Sequence, residues 1–348
     1  MREVEIKSEF NKDDTCILKG VAIVFMIFHH FVTYPQWQVG GAEVCISDNL
    51  AVQLAYLTKV CVPIFAYLTG YAYGKIRETT FRSTIKKSLN FLSEYWLFYV
   101  LILICVVLST DYIVTGTAVF KELLCIDTPI MVFCWYVRFY VVSIFILFVI
   151  QKLLRKSFSR GVFVGMVVPF IGFWLVGKVV PFGFVRTLCG ELRDYFPVII
   201  AGYLVSYYKI YEEIFEPAVK KLNLNSWTSL AVITSGGFMG RYFCGGVLGF
   251  NLDVLYMPFL IYGLINIISE GVQNFRVIFK LLGRYSMGIW FLHCAFFGPM
   301  NKLLQPIVYW SKNPVIITAF VLSILLLITR CVYKVREIVR SFFRKVII

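Results

Sequence analysis

Long apolar runs separated by short charged loops are the feature that most constrains this chain. A membrane-spanning helix needs about 20 largely apolar residues. Ten runs come close to that length, at residues 17–34, 50–74, 88–110, 128–151, 161–178, 194–208, 227–241, 252–269, 282–300 and 313–333. Hydrophobic residues make up 59% of the chain and charged residues only 16%, whereas a soluble domain is roughly 45–50% apolar. The sequence therefore predicts an all-α polytopic membrane protein with about ten transmembrane helices.

The distribution of lysine and arginine predicts the orientation of these helices. Alternate loops, counted from the N-terminus, together carry 24 of the 34 Lys and Arg residues, and the other loops carry 7. Because cytoplasmic loops are enriched in Lys and Arg, both termini are predicted to be cytoplasmic. The same rule accounts for the net charge of +14, so no nucleic-acid partner is expected. We expect one integral membrane domain over residues 1–348, with a cytoplasmic segment 1–16 and a basic cytoplasmic tail 334–348.

Two ionisable side chains in the first apolar run are the best candidates for chemistry. Lys19 and His30 are eleven residues apart, which places them on one helix stripe about 16 Å apart along the axis. Ionisable groups inside a membrane are functional candidates by default. Histidine suits general-base work on a hydroxyl near neutral pH, although a structural histidine is an alternative. Lys19 is either a snorkelling lysine or a fixed charge for a phosphorylated donor, and His29 points about 100° away from His30.

Three arginines are further candidates. Arg138 is followed by thirteen residues without a formal charge, so its guanidinium must face the bundle interior or a wet cavity, with Glu94 a possible partner. Arg193 and Arg241 lie at predicted outer helix ends. They either line an outer acceptor pocket or sit at the membrane interface.

His293 lies seven residues after Ser286 on nearly the same helix face. Seven residues span about 10 Å along the axis, which excludes direct Ser–His proton transfer on a continuous helix. His293 is therefore expected to be structural or to support another site residue. The sequence has no Gly-rich phosphate loop and no Cys cluster with metal-ligand spacing, so neither an ATP-driven pump nor a metal site is expected.

Five segments, in order along the chain, resemble the acyltransferase-3 family of integral membrane O-acyltransferases. Residues 18–31 resemble the family's first helix, with Lys19 in the place of its arginine and His30 in the place of its histidine. The other similar segments are residues 62–71, 134–139, 193–203 and 282–293. Lysine keeps the charge of the family's arginine but loses its bidentate fork. It is still a competent point-charge binder of phosphate.

The resemblance implies an O-acetyltransferase that moves an acetyl group from acetyl-CoA to a hydroxyl of a surface glycan or lipid-linked sugar. His30 would be the general base, Arg138 would stabilise the oxyanion, and Lys19 would bind the donor. Arg193 and Arg241 would bind the acceptor. The supporting residues would be His29, Tyr71 and His293. The resemblance also implies multi-pass insertion, with the bacterial cytoplasmic membrane as the expected location.

Two other classes of function fit the residues. A transporter or flippase of a lipid-linked saccharide is compatible with many helices and a buried arginine, although the chain lacks the repeated halves common in transporters. A scaffold derived from the family is suggested only by Lys19 at the arginine position. The sequence does not identify the acceptor, the acyl chain length or the oligomeric state.

Overall fold

The computed structural model describes residues 7–33, 43–76, 78–181, 183–221, 226–249, 251–270 and 273–347. Residues 1–6 of the predicted N-terminal segment and residue 348 of the predicted tail lie outside these ranges. Helix accounts for 83% of the structure, and the described residues include no strand. The predicted all-α class is therefore confirmed.

Sixteen α-helices follow one another in the described part of the chain. The first eight are α1 Lys12–Phe28, α2 Asp48–Thr58, α3 Cys61–Gly74, α4 Phe81–Ser109, α5 Gly116–Leu123, α6 Trp135–Leu154, α7 Phe158–Val162 and α8 Val168–Val179. The others are α9 Gly183–Tyr207, α10 Glu216–Lys221, α11 Ser226–Arg241, α12 Asp253–Glu270, α13 Gln273–Arg284, α14 Ser286–His293, α15 Asn301–Val308 and α16 Pro314–Ile347. π-Helical turns extend α1 over His29–Thr33 and join α7 to α8 over Phe163–Val167.

Six stretches of the described chain are long and apolar enough to cross a membrane. They are Lys12–Thr33, Asp48–Gly74, Phe81–Ser109, Trp135–Leu154, Phe158–Val179 and Pro314–Ser341. Two shorter apolar helices cover Asp253–Ser269 and Ser286–Phe296. These stretches support a membrane protein, while the count of ten spans and the cytoplasmic termini stay predictions.

Capping and ion pairing fix the start of α1. The Asn11 side chain accepts hydrogen bonds from the backbone N–H groups of Asp13 and Asp14, and the Asp14 carboxylate accepts one from Asn11 N–H. This capping box satisfies donors that the first helical turn leaves unpaired. The buried Asp14 carboxylate also pairs with Lys7 Nζ at 2.7 Å. The first transmembrane stretch therefore begins at a defined residue.

Contacts of the N-terminal residues define one end of the bundle, called here the N-terminal end. The Lys7 backbone N–H donates to Asn266 Oδ1 at 2.7 Å, and the Phe10 N–H donates to the Tyr71 hydroxyl at 3.1 Å. Lys280 Nζ lies 2.5 Å from Asp13 Oδ2. The last turns of α3 and α12 and the middle of α13 therefore meet the start of α1. His30 lies beyond the other end of α1, in the π-helical turn His29–Thr33.

Glycines allow α3 and α9 to pack backbone against backbone. A Cβ atom at Gly70 would collide with the carbonyl of Ile199, and one at Gly202 would collide with the carbonyl of Tyr67. Small residues permit such approaches between membrane helices, where dispersion and packing replace the hydrophobic effect. Helix α3 also carries Phe65, one of the aromatic residues that line the cavities described below.

Candidate functional site

His30 and His293 form the centre of the candidate site. The π-helical turn His29–Thr33 at the end of α1 carries His30, and single π turns in helices are frequent at functional sites. His293 is the last residue of α14 and is fully buried. The Nδ1 atom of His30 lies 3.0 Å from the Nε2 atom of His293. Residues 263 positions apart in the chain are thereby joined by one hydrogen bond.

The backbone of α14 determines which nitrogen atoms carry protons. The helix tightens after His293 into a 3₁₀ turn at Cys294–Phe296, and the Cys294 N–H bonds the carbonyls of Phe291 and Leu292. The carbonyl of Trp290 instead accepts a hydrogen bond from His293 Nδ1–H. His293 Nε2 is then the acceptor for His30 Nδ1–H. In this neutral chain of hydrogen bonds, His30 Nε2 is the unprotonated, basic nitrogen.

Aromatic packing holds the two imidazoles nearly parallel. The rings of His30 and His293 are 7° from parallel. The ring of Phe133 stacks on His30 with centroids 4.1 Å apart and lies 5.6 Å from that of His293. A base that is held in one orientation needs no reorganisation when a substrate arrives.

A cavity of about 400 Å³, the central cavity, adjoins His30. Its walls include His29, His30, Lys59, Phe133, Trp135 and Trp290. Lys59 is the C-cap residue of α2, and the next residue, Val60, is the N-cap residue of α3. Lys59 is the one charged residue in the apolar run 50–74, and the sequence analysis did not assign it a role. The lone charge in that run was the available signal.

A second cavity of about 400 Å³, the inner cavity, holds two lysines. Lys19 and Lys87 line it, together with Ser286. Lys87 Nζ also lies 3.9 Å from the ring centroid of Tyr73. The described structure therefore keeps Lys19 out of the His30 cavity and gives it a cationic neighbour that the sequence analysis did not identify.

Three aromatic side chains separate the inner and central cavities. Phe65, Tyr136 and Trp290 line both. The rings of Phe65 and Trp290 are stacked with centroids 6.1 Å apart, and those of Tyr136 and Trp290 meet edge to face at 5.0 Å. The two cavities are thus neighbours across a single aromatic layer.

A third and larger cavity of about 710 Å³, the vestibule, lies on the other side of the central cavity. Val132, Trp135 and Tyr195 line both cavities. Besides Arg138, the polar lining residues of the vestibule include Lys121, Asp127, Thr128, Thr187, Glu191 and Asp194. The vestibule therefore combines aromatic faces with charged and hydrogen-bonding groups.

Arg138 lines the vestibule and is held by an ion pair. Its Nε and Nη2 atoms lie 3.0 and 2.5 Å from the two carboxylate oxygens of Glu191, and Nη1 donates to the carbonyl of Cys125 at 3.1 Å. Glu94, the partner considered from the sequence, pairs with Arg336 instead. Arg138 is absent from the described lining of the central cavity.

The other two predicted arginines occupy different surroundings. Arg241 is buried, pairs with Asp253, and donates from Nε to the carbonyl of Tyr56 at 2.9 Å. Arg193 donates from Nε to Asp194 at 2.7 Å and lines a separate cavity between α8 and α9. The structure therefore does not bring the two arginines together.

Of the remaining predicted residues, His29 lies near the centre and Tyr71 does not. His29 lines the central cavity, and its Nδ1 atom lies 3.2 Å from Thr58 Oγ1. Tyr71 belongs to the N-terminal end, where its hydroxyl accepts the Phe10 N–H and its ring lies 5.2 Å from Lys75 Nζ. Tyr71 stays a predicted supporting residue that would have to act from a distance.

A buried carboxyl shapes the loop that carries Phe133. Glu122, in α5, accepts hydrogen bonds from the backbone N–H groups of Ile130 at 3.1 Å and Met131 at 2.5 Å. Burial nevertheless raises the pKa of the Glu122 carboxyl from 4.5 to about 7, since desolvation disfavours the charged form. The geometry around Phe133 is therefore linked to a group that titrates near neutral pH.

No group of three or more His, Cys, Asp or Glu side chains that could hold a metal ion occurs among the described residues.

Comparison with known proteins identifies the family. The family model for acyltransferase-3, described as an acyltransferase domain, matches residues 17–332. No curated protein and no solved structure matches the chain. The match covers nearly the whole sequence and includes both His30 and His293, so the chain belongs to the acyltransferase-3 family of membrane acyltransferases.

Proposed function

We propose that this protein is a membrane O-acetyltransferase that transfers an acetyl group from acetyl-CoA to a hydroxyl of a glycan or lipid-linked sugar. The observation that carries the proposal is the oriented His30–His293 pair beside the central cavity. The inner cavity and the vestibule are the two neighbours of the central cavity. One neighbour is lined by lysines and the other by aromatic and hydrogen-bonding groups. An acyl donor and an acceptor could therefore approach His30 from opposite sides.

The inner cavity suits the donor. CoA is multiply anionic, and Lys19 and Lys87 supply positive charge at this cavity. Lysine binds phosphate as a point charge rather than bidentately. The thioester end of the donor would pass Phe65, Tyr136 and Trp290 to reach His30, which requires this layer to open.

The proposed reaction is a direct acyl transfer. The acceptor hydroxyl gives its proton to His30 Nε2 as its oxygen attacks the thioester carbonyl, forming a tetrahedral oxyanion. The C–S bond then breaks, and the CoA thiolate takes the proton from His30 Nε2 while the acetyl ester is released. A positioned base of this kind contributes roughly 10²–10⁴-fold to the rate.

The oxyanion requires a nearby positive or hydrogen-bonding group. Lys59 is a cation that lines the central cavity with His30, and we propose it for this role. Stabilisation by Arg138 stays a prediction. Its ion pair with Glu191 in the vestibule favours a role in holding the acceptor side of the site.

The proposed topology has about ten spans, with both termini in the cytoplasm and residues 1–348 as one domain. The inner cavity would then open to cytoplasmic acetyl-CoA, and the vestibule would face the outside of a bacterial cytoplasmic membrane. The described helices support the membrane setting, and the Lys/Arg asymmetry supports the orientation.

Turnover by purified protein tests the function. Protein in nanodiscs is given acetyl-CoA radiolabelled in the acetyl group and a crude glycan extract, and labelled glycan is counted for wild type, His30→Ala and Lys19→Ala. We expect transfer by wild type, its loss in His30→Ala, and a raised acetyl-CoA requirement in Lys19→Ala. Lys86→Ala is the control, because Lys86 is exposed and is not among the described lining of the inner or central cavity.

Two results would contradict the proposal. Full transfer by a folded His30→Ala protein would remove His30 from catalysis. Movement of a lipid-linked saccharide across the membrane without acetyl-CoA, and with no labelled product, would favour a transporter.

A further inference from the structure

A basic cavity between α8 and α9 is not used in the reaction above. Its volume is about 230 Å³, and it is called here the basic cleft. Its lining includes Trp174, Lys178, Arg186, Gly190 and Arg193.

The charge of the basic cleft favours an anion. Three cationic side chains, Lys178, Arg186 and Arg193, line it. The carboxylate of Asp194 pairs with Arg193 through Nε at 2.7 Å, which leaves a formal excess of positive charge. Guanidinium groups recognise phosphate oxygens bidentately, and an ammonium adds a point charge.

The cleft also has open space for a ligand. A Cβ atom added at Gly190 would meet nothing within 4 Å. One added at Gly177 would be in ordinary contact with the Cys189 side chain at 3.6 Å and the Arg186 carbonyl oxygen at 4.0 Å. The side of the cleft formed by these two residues is therefore not filled by side chains.

Helix α8 places the cleft at the lipid surface. None of the residues of α8 is buried within the protein, and only 6% of the apolar window in Phe158–Val179 is covered. Its exposed apolar side chains include Val168, Phe170, Ile171, Trp174, Leu175 and Val179. Because no other part of the described protein covers this face, it is a surface for lipid chains.

Helix α9 joins the basic cleft to the vestibule. Arg186 and Arg193 line the cleft, whereas Thr187 and Asp194, each one residue later, line the vestibule. One residue is about 100° around a helix, and the helix with its side chains is about 10–12 Å across. A phosphate joined to a short saccharide can therefore occupy both sites around one helix.

We propose that the basic cleft binds the phosphate of a lipid-linked saccharide acceptor. The lipid chain lies along α8, the phosphate contacts Lys178, Arg186 and Arg193, and the saccharide enters the vestibule toward His30. The saccharide part of this inference rests on the proposed acetyltransferase function, whereas binding of the lipid phosphate does not. The cleft would select acceptors by an anchor that lies outside the reacting sugar.

Direct binding tests the cleft without any acyl transfer. The probe is radiolabelled farnesyl monophosphate, measured with full-length protein in uncharged detergent, and farnesol, inorganic phosphate and phosphatidylglycerol are the competitors. We expect saturable binding of the probe. Each of the three competitors should displace the probe at least tenfold more weakly than unlabelled farnesyl monophosphate does. A lipid chain and a phosphate monoester should both be required.

Two kinds of variant test the location. Arg186→Gln and Lys178→Gln should each weaken binding about tenfold, since each removes a charge-assisted contact worth ~1.4 kcal/mol. Gly190→Leu should weaken it by filling the cleft while leaving all charges in place. Lys302→Gln, an exposed lysine on α15, is the control and should bind as wild type does.

Three results would overturn the inference. Equal competition by inorganic phosphate would indicate a simple anion site, and equal competition by phosphatidylglycerol would indicate a site for bulk membrane lipid. Unchanged binding in Arg186→Gln, Lys178→Gln and Gly190→Leu would place the probe elsewhere. Because no acetyl-CoA is present, none of these results depends on whether the protein is an acetyltransferase.

Discussion

His30 Nδ1 and His293 Nε2 lie 3.0 Å apart, and His293 Nδ1 donates to the carbonyl of Trp290. This arrangement directs the unprotonated nitrogen of His30 away from His293, and we propose that His293 is a positioning residue. The role resembles that of any group that fixes the tautomer and ring angle of a functional histidine.

Substitution of His293 separates positioning from catalysis. His293→Gln retains an acceptor oxygen near the Nε2 position and should keep activity within about tenfold of wild type. His293→Leu loses the acceptor and should lower kcat roughly 10–100-fold. The measurement is the pH profile of kcat for labelled acetyl transfer. If His293 only fills space, Leu would be tolerated better than Gln and the profile would not move.

The two lysines of the inner cavity should act on donor affinity. Lys87→Ala and Lys19→Ala should each raise the KM for acetyl-CoA about three- to tenfold and change kcat little, because ground-state binding is lost. The effect should shrink with added salt, since exposed charges are screened. Initial rates against acetyl-CoA concentration measure it. Lys86→Ala is the matched control, because Lys86 is exposed and is not among the described lining of this cavity.

The ion pair of Arg138 and Glu191 can be tested by a double-mutant cycle. If the pair only holds the vestibule wall, Arg138→Gln and Glu191→Gln should each destabilise the protein by about 3 kcal/mol, and the double variant should be no worse than either. Thermal unfolding and initial rates provide the readouts. A 10²–10³-fold loss of kcat in Arg138→Gln alone, with Glu191→Gln near wild type, would instead support the predicted oxyanion role.

The stability of the fold should depend on pH through Glu122. The pKa of this carboxyl rises from 4.5 to about 7 on folding, so the folded state binds the extra proton between these values. The stabilisation of the folded state that comes from this proton is complete below about pH 4.5, and it is lost as the pH rises through about 7. The unfolding midpoint should fall over this window by about 2–4 °C for each 1 kcal/mol lost.

Glu122→Gln is the informative variant for that titration. The amide keeps an acceptor for the N–H groups of Ile130 and Met131 but carries no charge, so this pH-dependent component should disappear. Differential scanning fluorimetry between pH 4.5 and 8 measures it. A wild-type slope that persists in Glu122→Gln would assign the titration to another group.

Close packing of α3 and α9 should tolerate no side chain at Gly70. Gly70→Ala would drive a methyl group into the Ile199 carbonyl, and overpacking of this kind costs about 1–3 kcal/mol or more. The unfolding midpoint in detergent should fall accordingly. Gly172→Ala in α8, where an added Cβ meets nothing within 4 Å, is the control. An unchanged midpoint in Gly70→Ala would mean that the helices separate without cost.

The amino-acid sequence by itself determined the membrane setting and identified one half of the candidate histidine pair. Long apolar runs cannot be solvated as loops, so helices and a bilayer follow from composition and run length. His30 was identifiable because an imidazole is costly in such a run. The family match over residues 17–332 agrees with motifs that could be read directly from the chain.

Only the tertiary structure decided which polar groups meet. His293 joins His30 across 263 residues, Lys59 enters the central cavity, and Arg138 and Arg241 each find a carboxylate partner. Periodicity locates a side chain on its own helix but carries no information on which helix packs against that face or how far along it. Local backbone geometry at the end of α14 sets the position of His293, and the break between α2 and α3 sets that of Lys59. Helix packing then brings these residues to His30.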